Sequence, residues 1–457
     1  MILLISNITK LTLCIGILIC FFSCKKYLDE KTNKKLVVPS TLQDAQALLD
    51  NYKQLNLTYP STGQESDDDH YLLDNNYNAL SLVGQQVYTW DVNAQTYNDW
   101  SYLYGNVLYA NLALETTENI KPDASNINSW KFTKGQALFF RAFSFFHIAE
   151  YFAIPYNATT ASTELGIPLR MTSDVNEKTV RASLEETYRQ ITADLTAAAS
   201  LLPETADPVS RPGKAAAFGA LARVYLAMNN FVDAGLYADS CLLLHPVLID
   251  YNKLDSTLPA PVNSFNEEVI FQCSTLQAFS IYSPIAKTDT LFYESYANTD
   301  LRKHIFFKRN PDGTHSFKGS YNGSYRYDIP FNGIATDEMY LIRAECSARA
   351  GAKDKALNDL NTLLQQRYQE GTFTPLTANN SEEALGLILK ERRKELTGRN
   401  IRWFDLRRLN AEGKYSTLLT RKENGQIYNL PPNDPRYTFM VPPQVIEMSG
   451  IEQNVRQ

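Results

Sequence analysis

The sequence predicts a mainly α-helical protein in which antiparallel helix pairs pack against an irregular, loop-rich half with short β-hairpins. Three observations carry this prediction. A helix-pair pattern occurs twice, further long segments carry continuous apolar helical faces, and two long stretches show no helical period.

Residues 1 to 24 hold Lys10, an apolar run from Leu11 to Phe22 broken by Thr12 and Gly16, and then Ser23 and Cys24, the shape of a signal peptide. The run is shorter than the roughly 20 residues a membrane-spanning helix needs. A cysteine directly after a small residue at the end of such a run reads as a bacterial lipobox, so Cys24 is expected to be acylated as the mature N-terminus after removal of residues 1–23. Phe21 and Phe22 depart from an ideal lipobox, and Cys14 and Cys20 read as ordinary residues of the apolar run. Acyl chains contribute about 0.8 kcal/mol per buried methylene, enough together to hold a protein on a membrane. Lys25 and Lys26 follow, without the acidic residue that marks inner-membrane retention in some Gram-negative bacteria, so the outer membrane is favoured. Residues 24–457 are expected to form a single body.

Residues 52–99 are the first irregular stretch. Asp67 to Asp69 could offer oxygens to calcium, but they lack the alternate spacing and glycine of an EF-hand loop and read as a solvated acidic turn. Trp90 lies in a polar setting, TWDVN, with no local core pattern to join. Helical segments then run over about 100–250: WSYLYGNVLYANLALETTENI from Trp100, and KGQALFFRAFSFFHIAEYF with Leu138, Phe139, Ala142, Phe146 and Ala149 on its apolar faces. The expected partner of the latter, LEETYRQITADLTAAASLL, begins after Ser183, with Glu186 three residues on in capping-box spacing. A loop from Pro155 to Ala182 joins them.

From Phe218, FGALARVYLAMNNFVDAGLYADSCLLLHP places Phe218, Leu221, Ala222, Tyr225, Ala234 and Pro246 at tetratricopeptide offsets. Over 334–400 the pattern returns with Tyr340, Ala344, Ala356 and Leu360, departing from it at Arg343 and Ser347. The alanines let two antiparallel helices approach closely while aromatics fill the gaps between pairs. Together these segments amount to roughly eight helices in about four pairs. Residues 251–333, between the two repeats, form the second irregular stretch, in which HIFFKRNPDGTHSFKGSY reads as two strands joined at Pro311-Asp312-Gly313.

In ERRKELTGRNIRWFDLRRL, from Glu391 to Leu409, Leu396 continues an apolar face begun by Leu385 and Leu389, while Glu391, Arg392, Arg393 and Glu395 cover the rest. Gly398 suits a left-handed cap, and Trp403, Phe404 and Leu406 re-enter the core. The clustered Arg and Glu read as ion pairs that fix a buried helix end to its neighbours.

The chain has 457 residues, 44% hydrophobic and 21% charged, which excludes extended disorder. Its net charge of -6 gives no electrostatic reason to expect nucleic acid as a partner. Cys241, Cys273 and Cys346 are too few and too scattered for a disulfide framework, although one bridge among them is open. Catalytic motifs are absent: the five histidines, at 70, 147, 245, 304 and 315, include no pair at zinc spacing, and no HExxH, GxSxG, P-loop or dinucleotide-binding glycine pattern occurs. No enzyme activity, metal or cofactor is therefore expected, and His147 reads as a core histidine. The 27 Tyr and 22 Phe suit both a core and a surface that stacks on sugars or peptide side chains.

The segment from Glu391 to Leu409 resembles the hallmark of the SusD/RagB family of nutrient-binding outer-membrane lipoproteins. RAFSFFHIAEYFAIPY from Arg141, EEVIFQCS from Glu267, DLR from Asp300 and DEMYLIRAEC from Asp337 follow the family order. The closing VPPQVIEMSGIEQN from Val441 is similar too, with Met448, Ser449 and Gly450 in place of the more usual Asn-Pro, so the signature region spans 391–457. The resemblance implies a SusD-like fold, four helix pairs against an irregular half that carries the ligand surface. It also implies a lipid-anchored receptor facing the cell exterior, which captures an oligosaccharide, or a peptide in the RagB branch, for a SusC-type TonB-dependent transporter. Matching loops offer His70, Tyr71, Tyr77, Tyr88 and Trp90, then Tyr293, Tyr296, Tyr321 and Tyr325, with Trp90 first as a stacking anchor. Trp100, Trp130 and Trp403 belong to structural segments. Two other classes stay open: a tetratricopeptide interaction scaffold without a small-ligand site, and a glycan hydrolase, whose carboxylate pair would meet only in the fold.

Overall fold

In the computed structural model, which describes residues 39–324 and 328–456, eight helices follow one another, each packed against the next. They are α1 (Leu42–Leu49), α2 (Tyr97–Glu118), α3 (Ile127–Phe152), α4 (Leu184–Leu201), α5 (Lys214–Ala227), α6 (Phe231–Leu244), α7 (Thr336–Arg349) and α8 (Lys353–Gln365). Two signature helices follow, α9 (Ser381–Glu395), which packs on α7 and α8, and α10 (Arg402–Asn410). The expected signal peptide, Cys24 and Tyr325 lie outside the described residues.

Local signals place most of these helices. Ser183 accepts from the Glu186 amide at 3.1 Å while Glu186 accepts from the Ser183 amide at 2.9 Å, so the capping box of α4 is complete. In α5 and α6, Ala222 and Ala234 are buried, and Tyr225 stacks on Tyr237 with ring centroids 5.6 Å apart. The departure at Arg343 has a structural reason. Its guanidinium binds Asp359 of α8 at 2.7 Å and Asp239 of α6 at 2.7 Å, clamping two successive helix pairs. Helix α1, capped by Thr41 and Asp44, precedes the helices that the sequence pattern predicts, and α2 starts at Tyr97, three residues ahead of Trp100.

The helix α3 is buried over most of its length, as its aromatic run requires. His147 sits in it fully buried, donating Nδ1–H to the Phe143 carbonyl at 2.8 Å and accepting from Asn332 at Nε2 at 2.9 Å. Burial pushes its pKa down to about 3, so the ring is neutral. Cys241, Cys273 and Cys346 are buried free thiols.

Ten short strands, counted among the described residues, form five antiparallel pairs, some within the irregular stretches and others in the loops beyond them. In chain order they are β1 (His70–Tyr71), β2 (Leu165–Pro168), β3 (Arg181–Ser183), β4 (Val269–Phe271), β5 (Lys287–Thr288), β6 (Phe307–Arg309), β7 (His315–Phe317), β8 (Ile334–Ala335), β9 (Leu419–Glu423) and β10 (Gln426–Leu430). The expected hairpin around Pro311-Asp312-Gly313 is β6–β7, in register Phe307 to Phe317. The loop expected over 155–182 contains the β2–β3 pair. The β9–β10 hairpin turns at Asn424 and Gly425, both at positive φ (51° and 77°), the geometry of the tightest hairpin turns.

Candidate ligand cleft

The pairing of β1 with β5 sets His70 opposite Thr288 and Tyr71 opposite Lys287, and so joins the two irregular stretches. Beside this junction lies a cleft of about 1180 Å³, bounded by residues 68–72, the turn after Asp289, the helix α9 and the β9–β10 hairpin. Its half-buried aromatics are Tyr71, Tyr368 and Tyr415, and its exposed side chains include Leu291, Lys390, Leu418, Thr420 and Lys422.

Asp68 of the acidic triplet lines the cleft, and the packing of the triplet corrects the expectation of a solvated turn. Asp67 and Asp69 are buried. Asp68 receives a two-pronged pair from Arg402 at 2.7 and 3.0 Å and a third contact from Arg393 at 3.1 Å. Arg393 also donates to Asp69 at 2.9 Å, and the Thr397 hydroxyl donates to the same carboxylate at 3.1 Å. Burial opposes the charged form of Asp68, yet the two guanidiniums hold its carboxyl well below the usual range. For Asp67 burial prevails and, with the charge of Asp68 beside it, pushes the carboxyl up to about 7. His70 leans its Nδ1 on Asp67 at 3.2 Å, and burial drives its pKa down to about 3.

Most of the ring systems expected to meet ligand are committed to packing. Trp90 is 1% exposed and belongs to the main core; its indole donates to the Ser66 carbonyl at 2.9 Å, so the indole does have a core to join. The Arg421 guanidinium lies 3.5 Å from the Tyr88 ring centre and 4.9 Å from that of Trp90, and donates to the Tyr88 carbonyl at 2.7 Å. Tyr88 is likewise buried, accepting from the Leu72 amide at 2.8 Å and donating to Glu423 at 3.1 Å. Tyr77 packs against Leu72, Tyr88 and Ala286. Tyr296 is buried between Arg302 and Lys394, and Tyr321 donates to Glu268 at 2.7 Å beneath Arg399. Tyr293, half-exposed, stacks on His315 with centroids 3.6 Å apart and is not among the residues that line the cleft. Tyr71 therefore stands as the expected residue with accessible ring surface in the cleft, while Tyr368 and Tyr415 join it unforeseen. The Asn424-Gly425 turn between alternating strands was the sequence signal for the wall nearest Tyr415.

The signature charges are structural, as expected. Arg302 ties Asp300 to Glu391 and Glu395 of α9, and Arg367 links Glu395 to Glu268 at 2.7 Å on each side. Arg408 pairs with Glu345 at 2.6 and 2.9 Å, Arg399 with Asp337 at 2.9 Å and Arg392 with Asp405 at 2.8 Å. Gly398 has φ +70°, and a Cβ there would lie 2.3 Å from Phe317 Cζ.

A series of helix pairs whose loops and signature helix enclose an open cleft defines a binding scaffold. The chain matches the family model described as "Starch-binding associating with outer membrane" over residues 26–226 and that of the SusD family over residues 285–443. It belongs to the SusD/RagB family, a family of outer-membrane-associated binding proteins. The SusD-like protein P2 of Formosa agariphila is 23% identical over 424 residues, covering 76% of this chain and 82% of that protein. Among solved structures, a SusD superfamily protein from Bacteroides thetaiotaomicron superposes with a TM-score of 0.74 at 20% identity, covering 91% of this chain and 100% of that one. A SusD-like carbohydrate binding protein from Bacteroides vulgatus does so with 0.67 at 19% identity, covering 90% and 97%.

Proposed function

We propose that the protein is a lipid-anchored receptor on the outer face of the outer membrane that takes an oligosaccharide into the cleft between β1, α9 and the β9–β10 hairpin and hands it to a SusC-type TonB-dependent transporter. The observation that carries this reading is the convergence of both irregular stretches and the family's signature helix on one open cleft with Tyr71, Tyr368 and Tyr415 in its walls. A tyrosine offers an apolar face to a sugar ring and a hydroxyl to its rim. The carbohydrate-binding relative of the same fold supports the ligand class. The apolar leader ending in Ser23-Cys24 supports the anchor.

Calorimetric titration of the purified protein with a panel of oligosaccharides and peptides tests the receptor reading. The expected result is binding of an oligosaccharide without turnover, weakened by Tyr71→Ala and Tyr415→Ala with the fold intact. Silence from every oligosaccharide, or a response to peptides alone, refutes it. Cys24→Ala should abolish lipid labelling and release the protein from the membrane, and retention of the variant there refutes the anchor.

A further inference from the structure

The charge pattern of the cleft narrows the receptor reading, on which this inference rests: we infer that its oligosaccharide is acidic, carrying carboxylate or sulfate groups that meet Lys390 of α9 and Lys422 of β9. The chain as a whole is acidic, with a net charge of -6. The cleft runs against that balance, because its carboxylates are already engaged and its two exposed titratable side chains are both lysines.

Each acid of the lining has a partner. Asp68 is held by Arg393 and Arg402, and Glu391 by Arg302 at 2.6 Å and Lys394 at 2.8 Å. Asp289 caps the helical turn that begins at Thr290, accepting from the Phe292 amide at 2.8 Å. Glu423 is buried and accepts from the Tyr88 hydroxyl, and burial raises its carboxyl above the usual range. Of these acids only Asp289 has no cationic or hydroxyl partner, and none of them forms an ion pair with either lysine. Among the described residues neither Lys390 nor Lys422 has a carboxylate within ion-pair distance, and both side chains are exposed on different walls of the same concavity.

Two unpaired ammonium groups inside a concave site attract anions more strongly than the same groups on a convex surface, because the low-dielectric walls focus their field. An ammonium serves as a compact donor to a carboxylate or a sulfate, and the nearby tyrosines provide the flat surface for the rings between the charges. A neutral oligosaccharide would use the tyrosines and leave both charges idle.

The test titrates the detergent-solubilised protein with tetragalacturonate, with a sulfated tetrasaccharide and with the carboxyl-reduced and desulfated counterpart of each, at low and at high sodium chloride. The expected result is that one acidic oligomer binds about tenfold tighter than its neutral counterpart at low salt, with the preference shrinking at high salt. Whichever acidic oligomer does so identifies the anionic group. The double variant Lys390→Glu/Lys422→Glu should lose the preference while melting like the parent and keeping its weak affinity for the neutral oligomer. Neutral oligomers binding as tightly as acidic ones, or a preference that survives the double variant, overturns the inference and leaves the receptor reading standing. Failure of every oligosaccharide, acidic or neutral, removes both.

Discussion

Replacing Arg302 with methionine tests whether the family signature acts as scaffold. The arginine is fully buried and donates Nε to Asp300 at 2.9 Å, Nη2 to Asp300 at 2.7 Å and to Glu391 at 2.6 Å, and Nη1 to Glu395 at 2.9 Å. Methionine retains much of the aliphatic volume but leaves three carboxylates facing one another out of water. Some relief remains, because Lys394 reaches Asp300 at 3.4 Å and Glu391 at 2.8 Å, and Arg367 keeps Glu395 at 2.7 Å. Removing one partner of a buried ion pair costs about 3–5 kcal/mol, and three simultaneous partners with partial relief place the loss near the upper end. Urea unfolding at about pH 7.5 reads this as a lowered midpoint at unchanged slope.

The pH dependence provides a second check on the same variant. In the parent, burial alone would raise Asp300 and Glu391, but the charges of Arg302 and Lys394 hold both carboxyls below their usual range. Carboxylates held low contribute stability above their unfolded pKa and lose it only as the pH falls through the lower folded value. Without Arg302 burial prevails, the folded state binds protons that the unfolded state releases, and the penalty shrinks as the pH falls towards about 5. A loss below about 1 kcal/mol at neutral pH, or a larger loss that does not change between the two pH values, refutes the argument.

Three further outcomes follow from the same structure. Gly398→Ala forces a methyl group against Phe317 at a positive φ and should cost about 1–3 kcal/mol, so a parent-like urea midpoint sinks the steric account. Trp90→Ala empties a core site and should cost about 3–5 kcal/mol; a stable variant that has only lost ligand affinity would restore the indole as a contact residue. Asp99 is raised to about 7, chiefly by burial, against the hydrogen bond from Thr62. An acid whose folded pKa lies above its unfolded one stabilises less as the pH climbs from about 4 to about 7. Asp99→Asn should therefore flatten the fall in melting temperature across that window, and an unchanged slope contradicts the assignment.

Local pattern was enough for much of the scaffold. The capping box at Ser183 and Glu186, the tetratricopeptide offsets around Phe218 and the turn at Pro311-Asp312-Gly313 each involve residues near one another in the chain, whose geometry follows from local sterics and hydrogen bonding. The cleft was legible only in part. The irregular stretches supply part of its walls as the resemblance implies, but β9 of the hairpin turning at Asn424-Gly425 supplies another part from within the C-terminal signature, whose residues read as scaffold. Tyr415 lies in that segment, just before β9, and Tyr368 follows α8, outside both stretches expected to carry ligand.

The sequence by itself determined the helical class, because periodicity and small-residue spacing are properties of neighbouring residues, and the resemblance of its signature segments pointed to the family and to a structural role for the Arg-Glu clusters. Only the tertiary structure decided which side chains are free to meet a ligand. Trp90 and the triplet Asp67 to Asp69 both appeared solvated in their polar surroundings. Their burial depends on Arg393, Arg402 and Arg421, each more than 300 positions away in the chain, and a partner supplied at that separation leaves no mark on the local pattern. The two irregular stretches meet through a bridge at Tyr59 and Thr275 and through the two-residue β1–β5 pair that holds Tyr71, both too short to announce themselves in either segment.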